Sequence, residues 1–244
     1  MVAQSVASTG KKHQLDPYIR MAQGSRKSLD KVADYVATFV KMEVVNGKAY
    51  ANTMQMKFRE KPFSVYLYFR KAHLGRQVLY AAGKNGNMLL AKEAGIGALA
   101  GTVALKPGSP RALKEGLFPI TRIGMANMLD GVIAQWKAER TFANIKVTYF
   151  PNASLKRPDK TLKPIECKVL QSVNPNRGPR VKYSITRLYI DKKTNLPVRV
   201  EQYGFPKRPG DRPPLLAEYT YWNVRTNVGL KDIDFDRKNP RYKL

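Results

Sequence analysis

The sequence predicts a mainly β protein (α+β) in which about eleven antiparallel strands are accompanied by two helices. Three observations lead there. Most of the chain alternates apolar and polar residues with a period of two, turn signals rich in Gly, Asn and Pro break that alternation at short intervals, and only two segments carry apolar residues at helical spacing. With 244 residues and 43% hydrophobic content the chain can bury a sizeable core. The expected organisation is a flexible arm over residues 1–15 and one folded domain over 16–244.

In chain order, Asp16 as N-cap and Pro17 as first helical residue open a short helix carrying Ile19, Ala22, Leu29 and Val32. From Asp34 the period changes to two. Tyr35, Ala37 and Phe39 alternate with Val36, Thr38 and Val40, and Asn46-Gly47 is a hairpin signal into the next strand. There Met54, Met56 and Phe58 share one face, and Gln55, Lys57 and Arg59 the other. After Lys61-Pro62, the segment 64–70 sets Val65, Leu67 and Phe69 against Tyr66 and Tyr68, and strands at 77–82 and 87–91 follow around Gly83, Asn85 and Gly86. Two glycine-containing stretches, 94–101 and 106–116, bracket a short strand at 102–105 and read as a loop or lid with hinge glycines. Thr121 is the expected cap of a second helix whose Met125, Met128, Leu129, Val132, Ile133 and Trp136 form one wide apolar stripe, suited to covering a sheet face. Strands then follow at 145–150, 164–173, 181–190, 198–203 and 216–224.

Charge is the most unusual property. Lys and Arg number 44 against 18 Asp and Glu, a net charge of +26, and residues 156–193 alone hold eleven bases and three acids. A polyanion is the expected neighbour, whether nucleic acid, an anionic membrane surface or an acidic polysaccharide, since one Coulomb term attracts all three. Lys156, Arg157, Lys160, Lys163, Arg177, Arg180 and Lys182 are the candidate polyanion-binding residues. Tyr66, Tyr68, Tyr149, Tyr183, Tyr189, Tyr219, Tyr221 and Trp222, near Lys and Arg on strands, could stack bases, which supports a non-sequence-specific nucleic-acid reading.

Catalytic chemistry is thinly represented. His13 lies in the arm, His73 lies among bases in a turn, and there is no His-x-x-x-His pair, Gly-x-Ser-x-Gly elbow or Walker-type loop. Cys167 alternates with Ile165 and Val169 and reads as an inert core thiol. Asp232, Asp234 and Asp236 would share one strand face and could meet a hard cation, but adjacent Arg237, Lys238 and Arg241 point to local neutralisation. No catalytic residue, metal or cofactor is expected. A folded route to acid chemistry would require Glu43, Glu201 and Glu218 to converge in one cleft. No apolar run reaches the roughly 18 residues of a membrane span, and the N-terminus lacks a leader pattern.

The C-terminal third carries the most recognisable text: Leu196-Pro197-Val198-Arg199-Val200-Glu201-Gln202-Tyr203, then Glu218-Tyr219-Thr220-Tyr221 and Phe235-Asp236. It resembles the end of LolA-like outer-membrane lipoprotein-sorting proteins. With Lys61-Pro62-Phe63-Ser64-Val65-Tyr66 and Pro119-Ile120-Thr121-Arg122 upstream, the chain from Tyr18 more closely resembles the bacterial domain-of-unknown-function family 1571. The resemblance implies a strongly curved antiparallel sheet, an unclosed half-barrel with helices on its concave face, and export to the periplasm; the residues alone leave a cytoplasmic location open. It makes Met54, Met56, Phe58, Val65, Leu67 and Phe69, with Met125, Leu129 and Trp136 on the covering helix, a candidate lining for an apolar ligand cavity. The resulting expectation is a monomeric, non-catalytic binding module. It would hold an anionic lipid, lipoprotein or other amphiphilic envelope component in an apolar concavity with a basic rim, and touch membranes only peripherally. The alternatives are a nucleic-acid or polyanion binder and a structural envelope protein.

Overall fold

The computed structural model describes residues 13–141, 144–178 and 181–244. Most of the expected arm, residues 1–12, and the candidate Arg180 lie outside the described residues. The elements are α1 (Asp16–Leu29), β1 (Asp34–Val45), β2 (Lys48–Arg59), β3 (Ser64–Lys71), β4 (Gln77–Ala81), β5 (Leu89–Lys92), β6 (Val103–Leu105), α2 (Met125–Glu139), β7 (Lys146–Leu155), β8 (Ile165–Val173), β9 (Ile185–Asp191), β10 (Pro197–Tyr203) and β11 (Leu215–Thr226). The eleven strands form one sheet in the order β6-β5-β4-β3-β2-β1-β11-β10-β9-β8-β7, every pairing antiparallel and its two ends unjoined. Two meanders, β1 to β6 and β7 to β11, meet where β1 pairs with β11.

Register turns alternation into faces. Tyr35, Ala37 and Phe39 lie opposite Phe58, Met56 and Met54, and Phe39 also lies opposite Tyr221, its ring stacked on the Tyr221 ring at 4.8 Å. The β1–β2 hairpin closes on Asn46 and Gly47 at φ 50° and 78°, as a two-residue turn between twisted strands demands. The inner face divides into two zones. Over β8 to β10, Leu15, Tyr18, Ile19 and Ala22 join Leu129, Val132, Ile133 and Trp136 in a closed core against Leu170, Leu188, Ile190 and Val200. Over β1 to β5, the cluster of Met54, Met56, Phe58, Val65, Leu67 and Phe69 receives Met125 and Ala126 from the start of α2.

Both helix starts differ from expectation. Leu15, fully buried, holds the N-cap position of α1; Asp16 lies within the helix, accepts the His13 N–H and pairs with Arg140. Thr121 belongs to a 3-10 turn, and α2 begins after Gly124, where the Tyr35 hydroxyl accepts the Met125 N–H at 3.1 Å and the Tyr221 hydroxyl bonds the Gly124 backbone. Tertiary hydroxyls thus satisfy amides that a local cap would otherwise serve. Two strand limits also move. β7 continues through Pro151 to Leu155 because it is an edge strand with a bulge between Phe150 and Ala153, where a missing N–H is tolerated. β9 starts only at Ile185, since Ser184 is used in bonds to Asn174 and Tyr203.

The outer face is covered in part by the chain's own end. Phe235, fully buried, packs with Tyr66, Leu79, Ala81 and Leu90, and the Tyr242 ring stacks on Tyr66 at 3.9 Å. Asp232, Asp234 and Asp236 therefore do not share a strand face. The first two lie in a 3-10 turn that Asp236 ends, and the three pair with Arg59, Lys57 and Lys84 of the sheet side. Among the described residues no group of His, Cys, Asp and Glu is placed to hold a metal ion, and no helix is long and apolar enough to cross a membrane.

Candidate functional site

The inner face of β1 to β6 is incompletely filled. A cavity of about 710 Å³ lies there, walled by Phe39, Met54, Leu67, Phe69, Val78, Leu89 and Tyr221 of the sheet and roofed by Met128, Val132 and Gln135 of α2. Its size is that of small-molecule sites in general, and its wall joins an apolar sheet side to many charged and polar groups, among them Glu43, Arg76, Glu115 and Lys182. Met128, Val132 and Gln135 stand at i, i+4 and i+7, one stripe of the helix. Met125, Leu129 and Trp136 stand on the neighbouring stripe and are fully buried, Met125 in the cluster over β1 to β5 and the other two in the closed core, where the Trp136 indole donates to the Ser172 hydroxyl at 2.9 Å. Of the candidate sheet residues, Met54, Leu67 and Phe69 line the cavity, while Met56, Phe58 and Val65 form the core beneath it.

The front wall is the segment between β6 and α2, which contributes Arg111, Ala112, Lys114, Glu115, Gly116 and Phe118. Polar contacts fasten it to the sheet. Glu43, 2% exposed, accepts the Leu117 N–H at 2.8 Å, the Lys41 ammonium at 2.9 Å and the Tyr219 hydroxyl; Lys41 also donates to the Glu115 carbonyl at 3.0 Å. Burial and the Glu43 charge together push the Tyr219 hydroxyl far above its ordinary value, so it stays a donor. Nearer the rim, Arg76 pairs with Glu115 at 2.9 Å and with Glu93 at 2.7 Å, and His73 lies 3.3 Å from Glu115. Burial raises the Glu115 carboxyl, but the hydrogen bond and charge of Arg76, with His73 and Lys41, outweigh it and hold the group below the usual glutamate value.

The sequence of residues 32–244 matches the family described as Protein of unknown function (DUF1571). The chain belongs to the DUF1571 family. No protein of curated function matches it. Among solved structures, this DUF1571 chain is similar to MucB, with 11% identity over 91% of this chain and 63% of MucB and a TM-score of 0.50, a likeness of fold. It is also similar to a DUF1329 family protein from Desulfovibrio piger (15% identity, 92% and 98% covered, TM-score 0.41). A third is a LolA superfamily protein from Nitrosomonas europaea (11% identity, 88% and 97% covered, TM-score 0.33). The fold of the DUF1571 chain is one unclosed antiparallel sheet with few helices, a likeness of fold to MucB.

The DUF1571 sheet separates the three glutamates singled out as possible partners. Glu43 faces the cavity. Glu201 and Glu218 lie opposite each other on the outer face, where Arg199 bridges them and Tyr189, Tyr203 and Arg187 surround Glu201. That network is a set of satisfied ion pairs rather than a cleft. Cys167 is fully buried, and burial, with Asp191 and Glu166 nearby, pushes its thiol up to about 12.

The candidate polyanion residues fall at opposite ends of the strands. Lys156, Arg157, Lys160 and Lys163 lie in the β7–β8 connection, with Arg157 tied to the Lys163 carbonyl and to Asn223. Arg177 and Lys182 lie in the β8–β9 connection, and Lys182 lines the cavity with Arg111, Lys114 and Arg122. Those last three went unnoticed in the sequence, where nothing sets them apart from other bases. Of the eight aromatics offered as a stacking platform, Tyr149 alone is exposed.

Proposed function

We propose that this DUF1571 chain is a non-catalytic carrier or sensor of an amphiphile in the cell envelope, its apolar part held in the cavity and its anionic head at the mouth. The observation that carries this reading is the cavity itself: an apolar wall from Phe39, Met54, Leu67 and Phe69 opening past Arg111, Lys114, Arg122 and Lys182. An apolar chain entering it leaves water along its length, while an anionic head gains from exposed cations. Met56, Phe58, Val65, Met125, Leu129 and Trp136 serve as the packed support that fixes the wall. Lys156, Arg157, Lys160, Lys163 and Arg177, with Arg180, give a second, unspecific attraction for anionic surfaces. Export to the periplasm is part of this proposal and rests on the sequence resemblance to LolA-like proteins carried by Leu196 to Tyr203 and Glu218 to Tyr221.

The test is extraction of the purified protein followed by mass spectrometry, together with uptake of a fluorescent fatty acid. Ala91 lines the cavity on β5, so Ala91→Trp should fill it and abolish uptake while leaving the unfolding temperature near that of the wild type. Absence of any extracted amphiphile together with unchanged probe fluorescence in the wild type would refute the reading.

A further inference from the structure

The 3-10 turn Gly95–Ala100 sits on the cavity rim, where Gly97, Ala100 and the following Gly101 contribute to the wall. Gly95 at φ 61° and Gly101 at φ 68° bound it, left-handed conformations that let the backbone reverse at both ends. None of its residues is buried. Its two large side chains, Ile96 and Leu99, are 90% and 88% exposed, more than any other large apolar side chain among the described residues. Single exposed leucines are ordinary, but two fully solvated branched chains on one short turn at the mouth of an apolar cavity have no packing role in the folded chain.

The cavity beside them is lined with cations. Arg111, Lys114, Arg122 and Lys182 all contribute to its lining, all exposed and none paired with a carboxylate among the described residues. The nearby Glu93 and Glu115 are both taken up by Arg76. Exposed apolar side chains on the rim of a cavity that unpaired cations line match an anionic bilayer on both counts, because headgroups attract the cations and the acyl region removes the side chains from water. A second copy of the chain, itself at +26, would be repelled.

We propose that Gly95–Ala100 is a membrane-docking turn that inserts Ile96 and Leu99 into an anionic phospholipid bilayer while Arg111, Lys114, Arg122 and Lys182 contact the headgroups. Docking brings the cavity mouth to the lipid surface from which an amphiphile would enter. The inference rests on the amphiphile reading for its purpose only; the docking stands on exposure and charge.

The experiment is co-sedimentation of the full chain with vesicles of phosphatidylglycerol and phosphatidylcholine, and with vesicles of phosphatidylcholine alone. The wild type should sediment with the first and not the second. The double variant Ile96→Ser, Leu99→Ser should bind at least about tenfold more weakly, with fatty-acid uptake and unfolding temperature unchanged. Arg111→Gln with Arg122→Gln should also weaken binding and flatten its salt dependence. Wild-type affinity in the double variant would overturn the proposal by reducing the interaction to charge alone. Loss of fatty-acid uptake with vesicle binding intact would overturn it too, making the turn a lid. Vesicle binding that depends on Ile96 and Leu99 in a protein that takes up no probe would support docking and sink the amphiphile reading.

Discussion

Gly124→Ala is expected to destabilise the protein by about 4 kcal/mol, from two contributions that act together. Gly124 precedes α2 at φ 112° and ψ 153°, a region of backbone space close to glycine-only, and an alanine there costs about 1–3 kcal/mol. The added Cβ would also stand 2.7 and 2.8 Å from two carbons of the Phe58 ring. That ring cannot swing aside: it is 2% exposed, stacked on Tyr35 at 4.8 Å and met edge-on by Phe63 at 5.4 Å. Forcing a methyl into such a site adds about 1–3 kcal/mol. For a domain of this size the sum lowers the melting temperature by roughly 8–16 °C. Gly131, seven residues further along the same helix, is the internal control. A Cβ there meets nothing within 4 Å and the residue is helical, so Gly131→Ala should gain about 0.5–1 kcal/mol from the reduced freedom of the unfolded chain. Urea unfolding followed by circular dichroism measures both, with an unchanged m-value showing that stability alone has moved. A Gly124→Ala variant within about 1 kcal/mol of wild type would refute the reasoning, since it would mean that the start of α2 relaxes freely around Phe58.

Two further outcomes follow from the ionisable groups. Glu139 is 2% exposed, and burial raises its carboxyl against the hydrogen bonds of Gln135 and Asn174, so ionisation opposes folding once pH rises past the ordinary glutamate value. Glu139→Gln should therefore be more stable than wild type at neutral pH, with the advantage vanishing in acid where both folded and unfolded wild type are protonated; a constant difference across pH would show another cause. Glu115 is shifted the other way, so its contribution is present above the unfolded glutamate value and lost as pH falls through the lower folded one. Protection of the Gly116 and Leu117 amides, measured against their intrinsic exchange rates, should fall in acid in the wild type and already be low at neutral pH in Arg76→Gln, and equal protection in the two proteins at neutral pH would dismiss the ion pair as the fastening.

The strands were legible because each carries its own two-faced pattern. Met54, Met56 and Phe58 against Gln55 and Lys57 need no knowledge of the partner strand to be read, and Asn46-Gly47 names its turn outright. Helix starts were less so. Asp16 and Thr121 are good local caps, but Leu15 is drawn into the core and α2 is capped by Tyr35 and Tyr221, the former 90 residues upstream. Charge pairing was hidden for the same reason: Lys57 meets Asp234 across 177 residues, whereas the sequence sets Arg237 and Lys238 next to the acidic cluster. The aromatic platform failed because a tyrosine beside a lysine in sequence does not reveal its face, and Tyr66 is stacked beneath Tyr242. The cavity was legible only as a face, since the stripe of α2 that roofs it differs by one helical step from the stripe that fills core.

The two halves of the inner face explain why the cavity lies where it does. Over β8 to β10 both helices contribute, and the Tyr18 ring meets Trp136 edge-on at 6.4 Å, so large side chains from two layers close the space. Over β2 to β6, Leu29 from the end of α1 and Met125 and Ala126 from the start of α2 join the core, and no further α-helix among the described residues covers the rest. The chain covers that gap with the connection from β6 to α2, which is fastened by Glu43, Lys41 and Arg76 beside the packing of Ala112, Ile120 and Ile123 on the core. Apolar contacts are short-ranged and lose little by sliding, whereas these ion pairs and backbone hydrogen bonds define one closed position and can be released together. The zone of β8 to β10 is therefore closed by two layers of side chains, and the zone of β2 to β6 keeps open space behind a wall that polar bonds fasten. That division leaves, over β2 to β6, the space in which the amphiphile proposed above would sit.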